Sequence, residues 1–178
     1  MKKILMILLA GLLALTLTGC MGAANQETLP TLAVPEEEVV GGMPSPEKYD
    51  ADLAGLCSFM EDGQAVAAGE GYPVDTAYDV IGAQGGKRYR FSYNKSPVQI
   101  EFYEFDPDAL SAEADALLSD ALAEEKVTIL HNTVPALASS DKHFLMIYIE
   151  TKQDDVSKAH TALTKEYFTK FCQSKQEE

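Results

Sequence analysis

The chain has 178 residues and carries 14 basic against 28 acidic side chains, a formal net charge of −14. That length is a prior for one domain, and an excess of that sign is repelled by phosphate, which argues against nucleic acid as a partner. Three cysteines, three histidines and no tryptophan leave little material for a disulfide framework or a metal site, so neither a metal nor a dissociable cofactor is expected.

Lys2 and Lys3 precede an apolar run from Ile4 to Leu17. A run of about fourteen residues is too short for a stable membrane span, which needs about twenty, and suits the hydrophobic region of a signal peptide. It ends in Leu17-Thr18-Gly19-Cys20. This sequence resembles the lipobox of bacterial lipoproteins, in which a leucine or branched residue and two small residues precede an invariant cysteine. The resemblance implies that residues 1–19 are removed and that a diacylglycerol is attached to the Cys20 thiol. It also places the protein on the outer face of the bacterial cytoplasmic membrane, or facing the periplasm in a Gram-negative host. Two or three acyl chains anchor stably where one is marginal, at about 0.8 kcal/mol per buried CH₂. Loss of Lys2 and Lys3 leaves 12 basic against 28 acidic groups, a net charge of −16, so the folded body should stand away from anionic headgroups.

From Met21 to Lys48 the composition changes to Pro30, Pro35, Pro44 and Pro46, Gly41-Gly42 and the acidic triplet Glu36-Glu37-Glu38. Neither a helical nor a strand period is present, so residues 20–48 read as the lipidated cysteine and a disordered linker. Such a leash reaches about 90 Å extended and roughly 30 Å as a coil. Val39-Val40 leave open the alternative of an N-terminal arm packed on the domain.

The folded body is expected from residue 49 to 178. Asp50 is a candidate cap for a helix with Leu53, Leu56, Cys57 and Met60 on one face, stopped at Asp62-Gly63. A second short helix is predicted from Pro73, through Val74, Ala77, Tyr78 and Ile81, to Gly82. "GKRYRFSY" then alternates, with Tyr89, Phe91 and Tyr93 opposite Arg88, Arg90 and Ser92. After a turn at Asn94–Pro97, "VQIEFYEF" alternates again, which makes a hairpin. Asp106-Pro107 reads as a helix start, ahead of a stripe of Leu110, Ala114, Leu117, Leu118, Ala121 and Leu122. "KVTILH" and "HFLMIYIE" are the next strands, and the second, apolar on both faces, should be central. A last helix capped at Asp154 or Asp155 is expected to bury Val156, Ala159, Leu163, Tyr167 and Phe171.

The order α-α-β-β-α-β-β-α predicts an α+β domain, with an antiparallel sheet of about four strands and helices mainly on one face. In topology this resembles small envelope modules of the PepSY or beta-lactamase-inhibitor-protein type. The stretch "AYDVIGAQGGKRYRF … VQIEFYEF" is similar to uncharacterised lipoproteins of anaerobic gut bacteria, a resemblance that implies no activity.

Motifs for catalysis are incomplete. "GAQGGK" lacks the spacing and the Ser or Thr of a phosphate loop, and reads as a glycine turn. Ser139-Ser140-Asp141-Lys142 has the Ser-x-x-Lys spacing of penicillin-recognising enzymes without their other two elements, and reads as a turn. His131, His143 and His160 lack a close ligand pair and read as surface or strand-end residues. Asp106-Pro107-Asp108 lacks the rest of a calcium loop. Glu101 and Glu104 differ in parity on one strand and cannot form a carboxylate pair there. Cys57 and Cys172 lie on apolar helix faces, either as buried thiols or as a disulfide.

What remains is the polar face of the hairpin, where Arg88 and Arg90 lie across from Glu101 with Tyr103 beside them. It reads either as a solvated face of cross-strand ion pairs or as a recognition patch of Arg and Tyr, residue types common in binding hot spots. The expected function is that of a non-catalytic, membrane-anchored binding or interaction module for an envelope protein or wall component. A small-molecule or glycan-binding accessory lipoprotein is the alternative, and a small envelope hydrolase a more distant one.

Overall fold

The computed structural model describes residues 29–34, 42–74 and 78–176. The leader, the Leu17–Cys20 motif, the acidic triplet and Val39-Val40 lie outside them. In chain order the elements are β1 (Thr31–Leu32), α1 (Leu53–Asp62), β2 (Gly71–Pro73), the single turn α2 (Tyr78–Ile81), β3 (Gly85–Tyr93) and β4 (Ser96–Glu104). There follow α3 (Ala112–Glu124), β5 (Lys126–Ile129), β6 (Asn132–Ala138), β7 (Phe144–Glu150) and α4 (Asp155–Gln176). The domain is α+β, and its seven strands run in the order β1-β3-β4-β7-β6-β5, with β2 also on the outer edge of β3. All pairings are antiparallel except that of β1 with β3.

The β3–β4 hairpin follows from its alternation. Arg88 faces Glu101 and Arg90 faces Gln99 across the register. The turn is tighter than expected: only Asn94 and Lys95, both at positive φ, separate the strands, and Ser96 and Pro97 already belong to β4. Tyr89, Phe91, Tyr93, Ile100, Phe102, Phe144, Met146 and Tyr148 point to one side of the sheet, where α1 and α4 cover them. Tyr103, Leu145, Ile147 and Ala136 point to the other, against Ala114, Leu118 and Ala121 of α3. The apolar β7 is central, between β4 and β6.

Two expectations are corrected. Among the described residues the sheet has seven strands, not about four, and helices lie on both faces, not mainly one. β7 is apolar on both sides, and each side must be covered to remove that area from water. The strands missed are β1, β2 and β6. β6 contains Pro135, which has no N–H to donate. It is accommodated because β6 changes partners there: residues 132–135 pair with β5, and Ala136–Ala138 pair with β7.

Helix ends follow local chemistry. Asp52, rather than Asp50, caps α1, accepting from the Gly55 N–H at 2.7 Å. Gly63 ends α1 against α4; a Cβ there would lie 2.4 Å from the Tyr167 ring. Asp154 accepts from the Ser157 N–H at 2.9 Å at the start of α4. The stretch read as a leash meets the domain twice. Thr31–Leu32 adds a parallel strand at Ser92–Tyr93, and a 3-10 turn spans Pro46–Lys48, flanked by Met43 and Tyr49 packed on the core.

Candidate functional sites

The hairpin face gathers three of its four expected residues. Glu101 is buried, and its carboxylate accepts from Arg88 Nε at 2.5 Å, from Gln99 Nε2 at 2.8 Å and from the Tyr103 hydroxyl. A buried carboxylate needs this many donors to remain charged. Burial pushes the Tyr103 phenol upward, and the Glu101 carboxylate pushes it the same way. Tyr103 is itself buried, packed where a Cβ on Gly86 would stand 2.7 Å from its ring. Arg88 is half-buried and Arg90 exposed, with no ion pair of its own among the described residues. Glu101 and Tyr103 therefore orient Arg88 from beneath, and the surface itself consists of Arg88, Arg90 and Gln99.

The other motifs settle into structural roles. Gly82, at positive φ, follows α2, and Gly85 and Gly86 lie inside β3. Lys87 lies 3.6 Å from Glu61. Ser139 Oγ accepts from the Phe144 N–H at 2.8 Å, while Lys142 Nζ binds Asp115 at 2.5 Å, so the Ser-x-x-Lys stretch closes the β6–β7 turn. Asp106 caps a 3-10 turn through the Asp108 N–H. Cys57 and Cys172 are free and buried, and burial raises the Cys57 thiol to about 11. Among the described residues no group of three or more His, Cys, Asp and Glu could hold a metal ion, and no helix is long and apolar enough to cross a membrane.

The histidines separate. His131 is exposed at the β5–β6 turn, and His143 stacks on Phe144 with Nε2 3.3 Å from Glu104. His160 is buried, contrary to the surface position expected for it. The first half of α4 does not bury Val156 and Ala159. It turns Ser157, His160 and Thr164 inward, in phase with Tyr167, Phe168 and Phe171 further along.

This polar stripe meets the end of β7. Tyr148 OH lies 2.8 Å from Glu150 Oε2 and 3.0 Å from His160 Nδ1, and the imidazole stacks on Tyr93 at 4.1 Å. The phenol has one proton for two neighbours. When it goes to the carboxylate, His160 Nδ1 donates to the phenol; when it goes to Nδ1, the imidazole proton sits on Nε2. Burial pushes the His160 imidazole down to about 4 and the Tyr148 phenol up, so both stay neutral at pH 7. Among the described residues four buried side-chain atoms lack a hydrogen-bond partner: Glu150 Oε1, Ser157 Oγ, His160 Nε2 and Thr164 Oγ1. All belong to this junction of β7 and α4.

On its outer side the junction opens into a cleft of about 460 Å³, lined by Tyr148, Glu150 and Thr161 together with Pro135, Ile149, Ala162, Lys158 and Lys165. It exists because α1 and α4 cover β3, β4 and β7 while leaving β6 beside them open. Sequence reading missed this site. Its one signal was the polar i, i+3, i+7 stripe of Ser157, His160 and Thr164. No family model, curated protein or solved structure matches the chain.

Proposed function

We propose that the chain is a lipid-anchored, extracytoplasmic and non-catalytic binding module that recognises an envelope protein or wall component through the polar face of its β3–β4 hairpin. The sequence Leu17–Cys20 supports the anchor. The observation that carries the binding surface is the arrangement at Arg88. A half-buried guanidinium is held by a buried carboxylate, and it lies beside exposed Arg90 and half-buried Gln99 on one face of the hairpin. An arginine already fixed in place loses less side-chain entropy on binding. Arg88 is compensated by Glu101, so the net positive charge of this face is that of Arg90, a local cation on a protein of net charge −14 suited to an acidic or carbonyl-rich surface.

The test is cross-linking in intact host cells with full-length protein, comparing wild type, Arg90→Glu and Cys20→Ala. Arg90 makes no ion pair among the described residues, so Arg90→Glu should leave the fold intact. One dominant captured component, lost in Arg90→Glu, supports the reading. Equal capture by wild type and Arg90→Glu removes this face from it, and wild-type protein absent from the membrane fraction removes the anchor.

A further inference from the structure

Residues 29–34 belong to the stretch read as a leash, yet they lie along the outer edge of the sheet. Thr31–Leu32 pairs in parallel with Ser92–Tyr93, and the Ser92 N–H donates to the Pro30 carbonyl at 2.7 Å. Leu32 is half-buried against the core that α1 and α4 cover, while Thr31 is exposed. The pairing is confined at both ends, because Pro30 and Pro35 lack the N–H that a longer ladder needs. β3 by contrast pairs with β4 over all nine of its residues. β1 is therefore a part of the sheet that can open by itself, leaving the ladders of β3, β4 and β7 intact.

Docking of β1 changes how far the domain stands from Cys20. From Cys20 to Pro30 the chain is about ten residues, a reach of at most about 35 Å. With β1 released, the next described residue packed on the same core is Met43, so the free length becomes about 23 residues and the reach about 80 Å. As flexible coils the two lengths span roughly 17 and 26 Å. Docking also makes the β3 edge, on the side of the sheet away from β5, the point where the chain from Cys20 joins the domain. We propose that β1 is a releasable strap, which holds the domain close to the membrane by its β3 edge when docked and extends its reach when it lets go. This rests on the lipid anchor at Cys20. A pull on the domain by a bound partner favours the released form, because release adds about 13 residues, or about 45 Å, of chain.

The experiment compares the lipidated wild-type protein with Leu32→Ser, which removes the apolar contact of β1 at the sheet edge. Amide hydrogen exchange in detergent reads the strap without a membrane. Ser92 should exchange about tenfold more slowly in wild type than in Leu32→Ser, and about tenfold or more faster than the amides of the β4–β7 ladder. Neutron reflectometry on supported bilayers reads the reach, and the protein layer should stand about 10 Å further out in Leu32→Ser. Leu32→Ile should restore both wild-type values, and melting curves report the fold of each variant. Equal Ser92 exchange in wild type and Leu32→Ser overturns docking, and Ser92 exchange as slow as the ladder overturns release. Equal layer heights with a protected Ser92 overturn the control of reach alone, whereas wild-type protein not retained by the bilayer overturns the anchor and the reach with it.

Discussion

Acidification from pH 7 to pH 4 acts on this fold through His160. The imidazole is buried between Tyr93 of β3 and Tyr148 of β7, with the Glu150 carboxylate behind Tyr148 and the Ala65 backbone beyond α1 on its other side. Its pKa falls from 6.5 to about 4 on folding, chiefly through burial. Between those values the unfolded chain takes up a proton that the native protein refuses. Stability is therefore lost as pH drops through about 6.5, and the loss levels off below about 4. A shift of about 2.5 units corresponds to about 3 kcal/mol, a large share of a small domain's stability. His160→Phe keeps the stacking on Tyr93 and leaves Tyr148 its bond to Glu150, so at pH 7 it should cost no more than about 1–2 kcal/mol. Urea unfolding of both proteins at pH 7, 6, 5 and 4.5 measures the difference, and the carboxylates common to both cancel. The gap between the two proteins should close, or reverse in favour of His160→Phe, by about 2–3 kcal/mol over that range. A gap that stays constant with pH would refute a buried neutral imidazole.

Arg88→Ala leaves Glu101 buried with only Gln99 and Tyr103, and should cost about 2 kcal/mol, discounted because Arg88 is partly solvated. Arg90→Ala, at an exposed position, should stay within about 0.5 kcal/mol, and equal melting shifts would contradict the orienting role given to Glu101. Lys95→Gly should stabilise the hairpin by about 0.5–1 kcal/mol, because Lys95 sits at φ +61 in a two-residue turn that favours Asn-Gly. A lower melting temperature would count against that. Cys57 and Cys172 should resist iodoacetamide at pH 8 in the native protein and both react in urea, as read by intact mass. Native-state labelling of either thiol contradicts their burial.

The hairpin was legible because its alternation fixes both the facing of Arg88 and the register that sets it opposite Glu101. The cap at Asp154 and the stop at Gly63 were also legible, since each depends on chemistry within a few residues, whereas Asp106, read as the start of the long helix, caps only a 3-10 turn and Ser111 caps α3. The central position of β7 followed from its two apolar faces, although the cover this demanded on both sides was not drawn from them. The β7–α4 site was not legible. Tyr148 and Glu150 share one face of a strand, and His160 meets them only when α4 has docked on the sheet.

The sequence by itself determined the segments whose periodicity or capping is complete locally: the helices, the hairpin and the strand buried on both sides. Tertiary structure alone decided the rest. β1 and β2 are too short to show a period, and their backbone partners come from β3, far along the chain for β1. β6 tolerates Pro135 because it exchanges β5 for β7 at that residue. In α4, Val156, Ala159 and Leu163 compete with Ser157, His160 and Thr164 for the inward face. Burial of Phe168, Phe171 and Cys172 in the core between the sheet and the pair α1 and α4 sets the phase of a rigid helix, which carries the polar stripe inward with it.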